Sequence, residues 1–256
     1  MYLSGGLGVL FSRLTGIIAG IASLWLLNRI LTTEAFAGYM LTFSLVVVLG
    51  GVSGFGLERV LVLKIGKLPP EKGILRGGRL LKQVACWVLP LSIVAVLTAI
   101  LVLHKVPELS QNNEILPWLI RLSPIVPTLV FATLLISWLQ SNHSVGEPQS
   151  LYGQIDALRC LGIFCVYLLG AQLEGVALAA VAAAIVPTLI LAARAARRSI
   201  PEPGGLVLSD AKDGLRFFAI RMTTIGFMNA DILILGLFAS AEIVAPYVIA
   251  SRFALG

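Results

Sequence analysis

Five ionisable residues sit inside runs that are otherwise apolar: Arg13, Arg121, Arg221, Asp231 and Arg252. A charge at the centre of a membrane helix costs roughly 2.5–3.5 kcal/mol on insertion scales, so each must face protein or water rather than lipid. Four of the five are arginines. A guanidinium stays charged when desolvated and offers paired donors, so several of them at depth suit the handling of an anion.

Those residues need helices to hold them, and the composition supplies helices for a membrane. The chain of 256 residues is 58% hydrophobic and 12% charged, with a mean hydropathy of +0.95. No soluble core needs charge-free runs such as 36–57 and 84–103. As helices, such runs cross the roughly 30 Å hydrocarbon layer. The pattern predicts an all-α polytopic protein with spans at about 5–27, 36–57, 84–103, 115–139, 155–173, 175–193, 215–238 and from 243 onward. The first run is too long, and meets its charges too late, for a cleaved signal peptide. The three cysteines, Cys86, Cys160 and Cys165, have no metal-ligand spacing and read as small apolar packers.

Basic residues concentrate in alternate loops. The segment 58–83 carries Arg59, Lys64, Lys67, Lys72, Arg76, Arg79 and Lys82, and the segment after the sixth span carries Arg194, Arg197, Arg198, Lys212 and Arg216. The positive-inside rule makes these loops cytoplasmic, with a cytoplasmic amino terminus. The net charge of +6 then reports topology, and no nucleic-acid partner is expected. Pro117, Pro124 and Pro127 in the fourth span, and Pro187 in the sixth, predict kinks that suit either a bending transporter or a static bundle.

The stretch 199–210, with Pro201, Pro203 and the pair Gly204-Gly205, reads as a linker. It divides a six-helix first lobe (1–198) from the start of a second (214–256), with 199–213 as a cytoplasmic linker. The second lobe begins as the first does. At an offset of 208 residues Arg13 aligns with Arg221, Thr15 with Thr223, Ser23 with Asp231, Glu34 with Glu242 and Tyr39 with Tyr247. An even number of spans separates the copies, so both run in the same direction, as parallel repeats do in several transporter folds. That symmetry would set Arg13 and Arg221 at equal depth across the interface. Arg13, Gly16 and Gly20 share one helix face, which the glycines open to a neighbouring helix. On the seventh span Arg221, Thr224, Asn229 and Asp231 form a polar arc. Arg221 and Asp231 are about 15 Å apart along the axis, too far to pair directly. Arg221 serves either as a cavity cation or as a side chain snorkelling to the interface. Asp231 needs a partner on another helix, or water.

The chain resembles the polysaccharide transporter family of the multidrug/oligosaccharidyl-lipid/polysaccharide flippase superfamily. The cues are Asn28-Arg29 to Glu34 and Gly38-Tyr39 between the first two spans, and Gly54-Phe55-Gly56-Leu57-Glu58-Arg59 closing the second. Further cues are Asn229-Ala230-Asp231 through Gly236 and Val244 through Arg252. Ser12-Arg13-Leu14-Thr15-Gly16 is similar to the start of the lipid II flippase branch. The resemblance implies two six-helix lobes around a cavity that opens alternately to each side. It implies an exporter of undecaprenyl-diphosphate-linked oligosaccharide in the bacterial inner membrane, serving O-antigen, capsule or exopolysaccharide synthesis, with polysaccharide polymerases as possible partners and no cofactor. An ion gradient or the membrane potential would drive it. Arg13 would be a cavity cation and Arg59 a residue of the cytoplasmic mouth, with Arg221, Asp231 and Arg252 completing the candidate cavity set. The sequence departs from the family in stopping inside its eighth stretch, where 243–256 makes only about 21 Å of helix. It therefore reads as an amino-terminal fragment that would not transport by itself.

A cation-coupled multidrug antiporter would place carboxylates in the first lobe's cavity, and the first three spans hold none. A membrane glycosyltransferase or ligase would present acidic pairs on the outer face, where Glu34, Glu108, Glu114, Glu174 and Glu242 stand isolated. His104 borders the outer interface and His143 lies in a polar loop, both as solvated side chains. No phosphate-binding loop of the ATPase type is present, and no enzyme activity is expected. A membrane scaffold without transport is the remaining alternative.

Overall fold

A computed structural model describes residues 2–67, 75–106, 114–142, 146–170, 173–199 and 208–255. Within these, the side chains at 2–9, 146–149, 208–211, 228, 237 and 252–255 are not described. The described residues form ten helices and no strand: α1 (Tyr2–Ile30), α2 (Thr33–Gly54), α3 (Leu57–Ile65), α4 (Gly78–Lys105), α5 (Ile115–Leu122), α6 (Ile125–Ser141), α7 (Gly146–Leu169), α8 (Leu173–Ala196), α9 (Leu208–Phe238) and α10 (Ala241–Leu255). Five of them are long and apolar enough to cross a membrane, and seven crossings result if each of two bent pairs counts as one. The chain is an all-α polytopic membrane protein.

Local chemistry explains the boundaries. The Thr32 hydroxyl caps α2 by accepting from the Ala35 amide, with Glu34 in the first turn where the helix dipole favours an acid. The fourth span is broken. Pro124 cannot donate to the Ile120 carbonyl, and α5 meets α6 at 49°. The Ser123 hydroxyl donates to that freed carbonyl at 2.8 Å, so the kink leaves no bare acceptor in the apolar layer. By contrast α8 runs through Pro187 as one helix.

One element departs from the sequence reading. The basic segment 58–83 was expected to be loop throughout, yet it begins with the helix α3. Val60, Leu61 and Ile65 turn one buried face to the bundle while Arg59 is exposed. Alternating charge lowers mean hydropathy without disturbing helical periodicity, and periodicity is what packs.

The loops assigned to one side do meet. The Leu75 amide donates to the Arg198 carbonyl at 2.9 Å, and the Arg76 amide donates to Asn142 Oδ1 at 2.8 Å. The segments following the second, fourth and sixth spans thus share one end of the bundle. At the other end the Thr42 hydroxyl donates to the Ile115 carbonyl, and Arg121 pairs with Glu174 at 2.7 Å.

Lipid gives helices little hydrophobic reason to associate, so close backbone approach matters. Helix α9 lies antiparallel along α2. A Cβ at Gly51 would overlap the Ile225 side chain, and one at Gly236 would overlap Leu41. The repeated sequence has repeated boundaries as well: α9 ends at Phe238 and α10 begins at Ala241, each 208 positions after the end of α1 at Ile30 and the start of α2 at Thr33. Of the linker at 199–213, residues 200–207 lie outside the described residues.

Candidate functional site

The turn Gly54–Arg59 is where α9 docks. Helix α2 ends in two left-handed residues, Phe55 (φ 49°) and Gly56 (φ 69°). At Gly56 the positive φ coincides with a crowded site. A Cβ there would lie 2.3 Å from the Gly214 carbonyl oxygen and 2.7 Å from the Phe218 amide nitrogen, so only glycine satisfies both demands. Phe55 stacks on Phe218 with ring centroids 5.0 Å apart. The turn then aims Glu58, whose side chain is 4% exposed, at Arg221, where the two form an ion pair. Glu58 Oε2 has no hydrogen-bond partner among the described residues. The pair joins α3 to α9 across 163 positions of sequence.

A second polar centre lies in the middle turns of α1, α2 and α7. There Arg159 forms an ion pair with Asp156 Oδ1 at 2.9 Å and lies over the Phe43 ring, 5.3 Å from its centroid. Tyr39 stacks beside Phe43 and meets the edge of Trp118. Tyr39, Phe43, Asp156 and Arg159 line a cavity of about 290 Å³ whose remaining wall is largely apolar and includes Gly20 and Ser23. Two donors of these side chains, the Tyr39 hydroxyl and Arg159 Nε, are fully buried with no hydrogen-bond partner among the described residues. Ser23 is 1% exposed and spends its proton on the Ala19 carbonyl at 2.7 Å.

The residues selected from sequence fall in different places. Arg13 is exposed on α1 and has no ion pair among the described residues. Its neighbours locate it: Ser12 abuts Gly153 of α7, and a Cβ at Gly16 would sit 3.5 Å from the Gly153 Cα and 3.6 Å from Asp156 Oδ2. The glycine face of α1 therefore meets protein at Gly16 and opens into the cavity at Gly20. Arg221 is held by Glu58. Arg59 is exposed one residue further along α3. Asp231 accepts a hydrogen bond from Tyr247 of α10 at 2.8 Å, which is the second-helix partner its position requires. The side chain of Arg252 lies outside the described residues.

Sequence reasoning missed Glu58 as the partner of Arg221, and it missed the cavity of Tyr39, Asp156 and Arg159. For the latter a signal exists: opposite charges at i and i+3, one turn into a predicted span. Among the described residues no three His, Cys, Asp or Glu side chains group as metal ligands. Chemically the arrangement offers the exposed guanidinium groups of Arg13 and Arg59, since Arg159 and Arg221 are each paired with a carboxylate. No protein-family model, no curated protein and no solved structure matches the chain.

Proposed function

We propose that the chain contributes a binding site for an anionic lipid-linked cargo moved across the bacterial inner membrane, undecaprenyl-diphosphate-linked oligosaccharide being the cargo that the resemblance of its motifs implies. The observation that carries this reading is Arg13. An exposed guanidinium without an ion partner among the described residues, on an apolar helix, requires water or an anion beside it. Arg221 on the repeated helix is held by Glu58, so the diphosphate falls to Arg13. The basic loops share one end of the bundle, and by the positive-inside rule that end is cytoplasmic, together with the amino terminus. The docked turn at Gly54–Arg59 joins the first six spans to the repeat, and Glu58–Arg221 is the contact that lobe movement would have to remake.

A binding assay tests the proposal. The chain in lipid nanodiscs is titrated with an undecaprenyl-diphosphate oligosaccharide. Saturable binding is expected, weakened at least about tenfold in Arg13→Ala, a loss of about 1.4 kcal/mol. Binding that is absent, or that the variant leaves unchanged, would refute the reading.

Asp156 favours a second reading. The first three spans lack carboxylates, but this one, from the fifth, lines the cavity beside α1 and α2, where a cation antiporter would keep its acid. Saturable binding of an organic cation by the same nanodiscs, lost in Asp156→Asn, would select that reading instead.

A further inference from the structure

The last two turns of α8 hold a cationic cleft that the cargo site does not use. Between α7 and α8, the side chains of Ser150, Gln154 and Arg194 meet Pro187, Ile190 and Leu191 around a space of about 40 Å³. A water needs roughly 10–15 Å³, so the space admits a group of a few heavy atoms and no larger molecule. Its polar edge is open to solvent. Gln154 and Arg194 are both exposed, and Arg194 has no ion pair among the described residues. Gln154 spends one amide proton on a long bond to the Ser150 hydroxyl, 3.5 Å, and keeps the other. The lining thus offers a guanidinium and an amide donor and, among the described residues, no carboxylate. An anion with several acceptor oxygens suits that edge.

Depth identifies the source of the anion. Glu174 lies in the first turn of α8 and Arg194 in its last, about 30 Å apart along the axis. That separation equals the hydrocarbon thickness, so Arg194 stands in a headgroup layer. It is the layer at the end where Leu75 meets Arg198 and the basic segments gather. Below Arg194, Ile190 and Val186 continue the same helix row at four-residue spacing, and each is 47% exposed. A guanidinium above an exposed apolar row meets both halves of a lipid, the phosphate and the chain. Arg197 is exposed one turn further on, also without an ion pair among the described residues. The surplus positive charge favours a headgroup with net negative charge over a zwitterionic one.

The geometry points to this cleft as a seat for one anionic phospholipid, its phosphodiester on Arg194 and Gln154 and one acyl chain along Ile190 and Val186. The seat belongs to another helix pair than the cargo cation Arg13, and it stands without the cargo.

Native mass spectrometry tests the seat. The full chain is released from nanodiscs made of equal parts phosphatidylglycerol and phosphatidylcholine, and the lipids it retains are counted. One phosphatidylglycerol should be retained in preference to phosphatidylcholine. Retention should fall at least about tenfold in Arg194→Gln and about threefold in Gln154→Leu. Arg79→Gln removes another exposed charge at the same end, outside the cleft, and should change nothing. The seat is overturned if the two lipids are retained equally or if Arg194→Gln still retains phosphatidylglycerol. It is overturned too if Arg79→Gln loses as much as Arg194→Gln, which would leave only the general attraction of a basic surface. Displacement of the lipid by inorganic phosphate would also overturn it, because the occupant would then need no chain.

Discussion

In the second of the two repeated helix pairs, Tyr247 on α10 donates to Asp231 on α9 at 2.8 Å. The equivalent positions in the first pair are Tyr39 and Ser23, and Ser23 turns its proton to its own helix at the Ala19 carbonyl. Tyr39 is left without a partner. The first pair does have an acid nearby, but it comes from a different helix, α7, where Asp156 engages Arg159. Environment separates the two tyrosines further: Tyr39 is 2% exposed and Tyr247 is 39% exposed. The same scaffold thus closes its polar pair on itself in one copy and, in the other, leaves the tyrosine hydroxyl buried with no partner among the described residues. Where an acid stands, within the repeat or beside it, determines whether a tyrosine is satisfied.

The comparison can be broken most severely at the joint between the copies. Gly56→Val should detach α9 from the α2–α3 turn, because it imposes a positive φ on a branched residue and drives Cβ into backbone atoms of α9. A loss of about 3 kcal/mol or more is expected, read as a collapse of thermal stability in detergent. An unchanged transition would mean that the docked turn is not a structural requirement. Next comes the ion pair. Glu58→Gln should cost about 2–3 kcal/mol, below the 3–5 kcal/mol usual for a fully enclosed pair, because Arg221 remains 26% exposed. A double-mutant cycle with Arg221→Gln measures the coupling, and additivity within about 0.5 kcal/mol would show that the two side chains do not cooperate. The smallest effects sharpen the tyrosine contrast by their sign. Tyr39→Phe removes a buried hydroxyl that has no partner and should stabilise the ligand-free chain by up to about 1 kcal/mol. Tyr247→Phe gives up a bond to Asp231 and should leave stability level or slightly lower. Two shifts of the same sign would erase the distinction.

Hydropathy placed the spans because crossing lipid is a property of each segment alone. The break at Pro124 was legible in the missing amide of that one residue. Helix α3 was not, since Arg59 and Lys64 masked an apolar face only nine residues long. Nor was the bond between Glu58 and Arg221 legible, because nothing in either segment names a partner so far away. Asp156 and Arg159 look from sequence like a pair at a membrane surface. Only the approach of α1 and α2 turns them into a cavity wall.

The separation between Glu58 and Arg221 has a consequence for biosynthesis. At about 5–20 residues per second, the ribosome needs about 10–30 s to deliver the arginine after the glutamate. Through that interval α3 emerges carrying an acid whose intended burial has no counter-charge, so the α2–α3 turn stays at the water interface until α9 arrives. Completion of the first six spans is thereby timed by the seventh. A nascent chain stalled before residue 221 should present this turn to membrane proteases, which makes it a checkpoint for assembly as well as a joint.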